Sequence, residues 1–277
     1  MVMRLYSIAV YLFLYVPIGI IVLFSFNSGR HASDFQGLSV QWYGKALSNP
    51  FVIEALTTSL IIALSAACLS SVMGTAAALA LQRVRGPVKV LFDGLIYVSI
   101  MIPGIVIGIA TLIALVSVFK FLNPILGTLW PEGVKPPKLS LGYASVIGAH
   151  TLFTMSLVIV IVRARIAGMD RTLIEASEDL YATPWRTFRQ ITLPQIFPAI
   201  LAGFLLSFTF SFDDFIVSFF VAGANTTLPI YVFSSIRRGI TPEVNAIGTM
   251  VLCVSLTMLI FAQFLLRRRG HRTSGGR

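Results

Sequence analysis

Six apolar stretches, at roughly residues 5–26, 56–81, 94–119, 141–162, 196–221 and 245–266, run through the chain with short polar segments between them. A helix needs about 20 apolar residues to cross the hydrocarbon core of a bilayer. Inside lipid the backbone must satisfy its own hydrogen bonds, which a helix does within a single segment. The stretches therefore predict an all-α polytopic membrane protein with six transmembrane helices. Charged residues make up only 12% of the chain, too few to clothe a water-soluble globule or to keep a chain disordered. No polar stretch is long enough to hold a core of its own, so residues 1–277 are expected to form a single transmembrane domain. Arg4 precedes the first stretch as in a signal peptide. That run is longer than a typical h-region and no small-x-small cleavage site follows, which predicts a retained span.

The formal charge of +10 invites a nucleic-acid reading. A nucleic-acid binder gathers its basic residues on a solvated face, whereas here they alternate with the apolar runs. Arg4, Arg83, Arg85, Lys89, Arg163, Arg165, Arg171, Arg186, Arg189, Arg267, Arg268, Arg269, Arg272 and Arg277 put 14 basic residues on one side. Arg30, Lys45, Lys120, Lys135, Lys138, Arg237 and Arg238 put 7 on the other. Positive charge collects on the cytoplasmic side, so both termini are expected there. Cys68 and Cys253 both fall in apolar runs and read as small membrane-buried hydrophobes, not as a disulfide framework.

Within the spans, Ser70, Gly74 and Ala78 recur every four residues, and Gly104 and Gly108 do the same. Small residues at that spacing let helix backbones approach closely, so these mark packing faces. Pro103 lacks a backbone donor and is expected to bend the third span.

The segment 169–194 has a different character. Leu173, Ile174, Ala176, Ser177 and Leu180 recur at helical spacing, with Glu175, Glu178 and Asp179 on other faces. A break is expected near Tyr181 to Thr183. A second short helix should begin at Pro184 with Thr183 as its cap, carry the stripe Trp185, Phe188, Ile191, and end at Pro194. Two such helices at the cytoplasmic surface are either an interfacial linker lying on lipid or a docking element for another protein. The acidic face suits the second reading, because the inner leaflet is itself anionic.

Glu175-Ala176-Ser177-x-Asp179-Leu180, followed about a dozen residues later by Leu193-Pro194, resembles the EAA motif of ABC-importer permeases. The resemblance continues through the block from Leu206 to Ser218, Thr227 to Arg237, and Gly239 to Ala246, and is similar to the second permease of spermidine/putrescine-type importers. It implies a type I, MetI-like permease fold in a bacterial cytoplasmic membrane. It also implies a coupling segment comprising Glu175, Ala176, Ser177, Asp179, Leu180, Tyr181, Ala182 and Pro194, which docks on a cytoplasmic ATPase. The implied partners are a second permease subunit, two ATPase subunits that hold ATP and Mg, and an extracytoplasmic substrate-binding protein. The family usually has glycine where this chain has Tyr181. Either the turn is built differently here, or Tyr181 fills part of the ATPase groove.

Asp213 and Asp214 are the acidic residues deep within a predicted span. A carboxylate at mid-membrane costs about 2.5–3.5 kcal/mol on insertion scales and usually faces a partner or a watery path. On one continuous helix the two would point about 100° apart. They serve either as structural acceptors or as a transient site for a cationic amine, with Ser211 and Ser218 adding neutral hydrogen bonds. The outer connection 222–244 is expected to hold a short helix.

Other classes fit less well. A secondary transporter should show duplicated halves with paired broken helices, and no internal repeat is evident. An intramembrane enzyme should show a nucleophile–base pair or a metal cluster. His31, His150 and His271 are scattered, and each reads as a surface or packing residue. The chain has no G-x-x-x-x-G-K-[ST], so no nucleotide site, catalytic residue, metal or cofactor of its own is expected. The alternatives are a stand-alone secondary transporter of a small cation, or an ABC permease for another small solute.

Overall fold

A chain in lipid closes each apolar stretch into helix, and the helix stops where a residue withholds a hydrogen bond or offers the backbone a different one. The computed structural model describes residues 2–30, 34–131, 134–239 and 241–273, with side chains from Met3 to Thr257. His31 and Arg277, and the side chains of Arg267, Arg268, Arg269, His271 and Arg272, lie outside the described residues. The helices are α1 (Val2–Ser25), α2 (Gln41–Ser48), α3 (Pro50–Ala80), α4 (Pro87–Met101), α5 (Gly104–Leu129), α6 (Tyr143–Ala167), α7 (Thr172–Asp179), α8 (Pro184–Thr187), α9 (Leu193–Asp213), α10 (Ile216–Val221), α11 (Leu228–Arg238) and α12 (Pro242–Thr273). A π-turn, Phe188–Thr192, runs from α8 into α9. Five segments are long and apolar enough to cross a membrane: Met3–Ser25, Pro50–Ala80, Gly104–Leu129, Tyr143–Ala167 and Pro184–Asp213. The expected sixth span falls in α12, whose described apolar part is Pro242–Thr257.

Two spans differ from their expected form. The stretch 94–119 is not one bent helix: α4 stops at Met101 and α5 starts afresh at Gly104. The residue before a proline is pushed into extended conformation, and Ile102 has ψ 132°. Pro103 then becomes the N-cap of α5, its carbonyl accepting from Val106 and Ile107 N–H groups. The stretch 196–221 also breaks, because Asp214 is extended with ψ 120° between α9 and α10.

The chain divides into two units, Met1–Leu56 with Leu228–Arg277, and Thr57–Thr227. In the first unit α12 packs against α1 and α2. Asn27, buried just beyond α1, gathers Gly29, Asp34 and Gln36 around its side chain. Its amide donates to the Asp34 carbonyl at 2.7 Å, and its oxygen accepts from Gly29 and Gln36 N–H groups. Asn49 Nδ2 donates to Tyr231 Oη at 3.2 Å and to Glu243 Oε1 at 2.9 Å, tying the end of α2 to α11 and α12. The Lys45 ammonium sits 4.2 Å from the centre of the Trp42 ring. The short helix expected in 222–244 is α11.

In the second unit α6 packs on α3, α4 and α9 through Ala78, Leu81, Ile96, Val158, Ile159, Val162 and Ala199. Val158 is wedged between two glycines. A Cβ on Gly74 would lie 2.8 Å from the Val158 Cβ, and one on Gly203 would lie 3.3 Å from its methyl carbons. Close approach of this kind replaces the hydrophobic drive that lipid cannot supply. Ser70, one turn before Gly74, shares a 2.6 Å hydrogen bond with Thr154, so the Ser70–Gly74–Ala78 stripe is the packing face read from the sequence. Gly108 admits the Phe220 ring, which would stand 2.7 Å from an added Cβ. Cys68 and Cys253 are both free and exposed.

Candidate functional site

Both segments singled out in the sequence lie in the Thr57–Thr227 unit. The first is the α7–α8 hairpin. Asp170 opens it by accepting from the Thr172 hydroxyl at 2.7 Å and the Thr172 N–H at 3.0 Å. Those two bonds, the hydroxyl's the larger, hold its carboxyl below the ordinary 3.8. The other end of α7 closes with the Ala182 N–H donating to the Ser177 carbonyl at 3.1 Å and the Tyr181 N–H donating to the Glu178 carbonyl at 2.9 Å. This pair of bonds is a Schellman motif, which places its C′ residue in the left-handed region. That residue is Tyr181, with φ +56°, the non-glycine residue of positive φ among those described.

The turn is thus the one a glycine would make, not a different construction. Tyrosine adopts it at a cost of roughly 1–2 kcal/mol that glycine would not bear. Its side chain stabilises nothing within the chain, since Tyr181 is 96% exposed.

The apolar stripe expected on α7 is not a buried face. Ser177 is buried and Ile174 half-buried, whereas Leu173, Ala176 and Leu180 are exposed, as are Glu175, Glu178 and Asp179. Ser177 Oγ and Thr187 Oγ1 share a buried 2.7 Å hydrogen bond that joins α7 to α8. Thr183 sits at the N-cap of α8 but makes no side-chain cap bond; its carbonyl accepts from the Thr187 N–H instead. Trp185 is exposed and stacks on Phe188 with ring centres 5.5 Å apart.

Pro194 does not end this helix. The helix widens into the π-turn, in which the Leu193 N–H reaches back five residues to the Phe188 carbonyl, and then continues as α9. Proline is tolerated there because it lies in the first turn of α9, where the wider turn has already changed the hydrogen-bond register. A cavity of about 780 Å³ opens beside the hairpin, walled by Gln82, Arg83, Arg171, Glu175, Glu178 and Phe188 among others.

The second segment is the α9–α10 break. Asp213 ends α9 and is exposed, while Asp214 turns inward with a side chain 15% exposed. Asp214 Oδ2 accepts the Ser218 N–H at 2.8 Å, which caps the first turn of α10 and explains the break. The same oxygen lies 3.2 Å from His150 Nε2. His150 is completely buried, its Nδ1 2.7 Å from Ser211 Oγ and its Nε2 3.1 Å from Ser218 Oγ. Ser211 and Ser218 thus join Asp214 around one imidazole, and Asp213 is left outside that cluster. Because a break separates the two acids, the angular argument for a continuous helix does not apply to them.

His150 is the residue that sequence reasoning missed. It lies on α6, more than 60 positions from its partners, so no local pattern could reveal it. The one available signal was a polar ring in the middle of an apolar span. Ser207, one turn before Ser211, is buried with its hydroxyl unpartnered. Among the described residues no group of His, Cys, Asp and Glu has the makings of a metal site.

Long apolar helices, with short helices between them, make this a polytopic helical protein. Residues 69–274 match the family described as binding-protein-dependent transport system inner membrane component, and the chain belongs to that family, as a multi-pass permease of the bacterial inner membrane. It is 36% identical over 267 residues to the spermidine/putrescine transport system permease protein PotC of Haemophilus influenzae, covering 96% of each chain. It is 35% identical over 268 residues to PotC of Escherichia coli, covering 96% of this chain and 94% of the relative. It is also 36% identical over 260 residues to the putrescine transport system permease protein PotI of Escherichia coli, covering 92% and 87%. The fold is similar to a chain of a bacterial ABC transporter involved in the import of the acidic polysaccharide alginate, with TM-score 0.74, 18% identity and coverage of 96% and 94%. A chain of the MetNI methionine ABC transporter aligns with TM-score 0.57 at 16% identity, covering 79% and 95%.

Proposed function

We propose that this chain is a membrane-spanning subunit of an ATP-driven importer of polyamines or related cationic amines. The observation that carries the substrate class is the likeness to PotC and PotI proteins along nearly the whole chain. The fold alone does not choose a substrate, since a similar fold serves a transporter of an acidic polysaccharide.

The chain acts as a single permease domain beside a second permease subunit, with both termini cytoplasmic. Two ATPase subunits bind ATP and Mg, and an extracytoplasmic protein delivers the substrate. The coupling element is the segment 169–194, in which Glu175, Ala176, Ser177, Asp179, Leu180, Tyr181 and Ala182 lie on the α7–α8 hairpin and Pro194 at the start of α9. An exposed hairpin braced by Ser177–Thr187 and closed by a Schellman turn is suited to pass a rigid-body push from the ATPase into α9, with which it is continuous through the π-turn.

Asp213 is the residue free to meet a passing ammonium group. Asp214, Ser211 and Ser218 hold the break beside it through His150. ATP biases the switch only through different affinities for its two states.

The deciding test is uptake of labelled spermidine and putrescine by the reconstituted complex with its binding protein and ATP. Glu175→Arg should abolish ATP-dependent uptake; uptake retained at the wild-type rate would remove the coupling assignment. Uptake unchanged in Asp213→Asn would remove the cation site.

A further inference from the structure

We infer that Tyr181 is the anchor of the coupling hairpin: an aromatic side chain held in a left-handed turn so that it enters an apolar, basic-rimmed pocket of the ATPase subunit. The inference rests on the reading of α7–α8 as the coupling element.

Three observations carry it. Tyr181 has φ +56° in a Schellman turn, a conformation in which glycine would be relaxed. It has no compensating contact in the chain, being 96% exposed. It also has large apolar company, with Leu180 81% exposed and Trp185 68% exposed on the same hairpin. A side chain that strains its backbone and buries nothing within its own subunit gains its free energy elsewhere. Aromatic residues presented on a rigid turn lose little entropy on docking and are the usual centres of binding energy in interfaces.

The neighbouring charges identify the occupant. The exposed charges nearest Tyr181 along the chain are Asp179 and Glu178, with Glu175 further back on α7 and the exposed Arg171, Arg186 and Arg189 further off. A lipid surface would accept the rings but repel the carboxylates, because the inner leaflet is anionic. A protein pocket with an apolar floor and Arg or Lys at its rim accepts both.

The test uses the assembled permease pair in lipid nanodiscs and purified cognate ATPase subunit. Tyr181→Phe should hold the ATPase as tightly as wild type. Tyr181→Gly and Tyr181→Asn, which keep or ease the turn but remove the ring, should raise the dissociation constant at least tenfold, with the thermal midpoint of the permease pair unchanged or higher. Wild-type affinity in Tyr181→Gly while Glu175→Arg abolishes binding would overturn the anchor and leave the coupling reading standing. Wild-type affinity in Glu175→Arg as well would overturn both.

In a background lacking Cys68 and Cys253, an environment-sensitive fluorophore on Tyr181→Cys should report water without ATPase and an apolar site with it. Quenching by brominated lipid regardless of ATPase would assign this position to the bilayer and sink the inference.

Discussion

Ser177 and Thr187 face each other across the α7–α8 hairpin and share a buried 2.7 Å hydrogen bond, so the two short helices are joined by a pair of small hydroxyls in place of a hydrophobic core. Removing one partner strands the other. We expect Thr187→Val to cost about 1–3 kcal/mol, the penalty of an unsatisfied buried hydroxyl, and Ser177→Ala with Thr187→Val to cost less than the sum of the single changes. Thermal unfolding of the purified subunit pair in detergent checks this. Strict additivity would show that the bond does not hold the hairpin.

His150 satisfies three groups at once, so its loss should be felt more widely than a cavity. His150→Phe leaves the Asp214 carboxylate and the Ser211 hydroxyl without their shared partner. We expect destabilisation of about 2–4 kcal/mol and partial loss of order at the α9–α10 break. Hydrogen exchange at Ser218, whose N–H is capped by Asp214, provides the local readout. Unchanged protection there would show that His150 does not position the cap.

The two aspartates should separate by type of effect. Asp213→Asn changes an exposed charge and is expected to lower uptake at least tenfold with the melting temperature unchanged. Asp214→Asn weakens a buried charge-assisted bond and should destabilise the fold by about 1–3 kcal/mol. Uptake and melting curves recorded on the same preparations separate the two.

Val158 and its flanking glycines give a test of close packing. Gly74→Ala should destabilise by about 1–3 kcal/mol, since its Cβ would press on the Val158 side chain from 2.8 Å. Val158→Ala keeps the Cβ that makes the closest contact, and the Met155 carbonyl stands 3.1 Å from the same position, so it should restore only a minor part of that loss when combined with it. A double variant as stable as Val158→Ala alone would place the strain in the Val158 methyls and not in the close approach of the backbones.

Asp170 sets a pH dependence of definite sign. Its folded carboxyl titrates below the ordinary 3.8 because Thr172 donates two hydrogen bonds to it, the hydroxyl's first in size. A depressed folded value means that the contribution to stability is complete above the unfolded value and disappears as pH falls through the folded one. Thr172→Val should raise the Asp170 titration toward the ordinary value, as followed by carbon NMR of labelled aspartate, while the backbone bond keeps part of the depression. An unmoved titration would assign the depression to another cause.

The sequence determined the features that depend on local composition. Length and apolarity set the membrane helices, because lipid gives a backbone no alternative partner, and the spacing of Ser70, Gly74 and Ala78 marked a helix-packing face. The order of acidic, apolar and helix-starting residues between 169 and 194 marked a hairpin with a break near Tyr181. Tertiary structure decided what depends on the competition between a helix and its neighbours. Ile102 and Pro103 separate α4 from α5, where a bend was expected. The π-turn carries the chain past Pro194. Asp214 breaks α9 because its side chain finds both the Ser218 N–H and an imidazole on α6. A titratable ring such as His150 is silent in a one-dimensional pattern, since its partners arrive only when α6, α9 and α10 pack together. Tyr181 combines both cases: its departure from glycine is written in the sequence, whereas the left-handed turn and the outward ring become visible only in the folded chain.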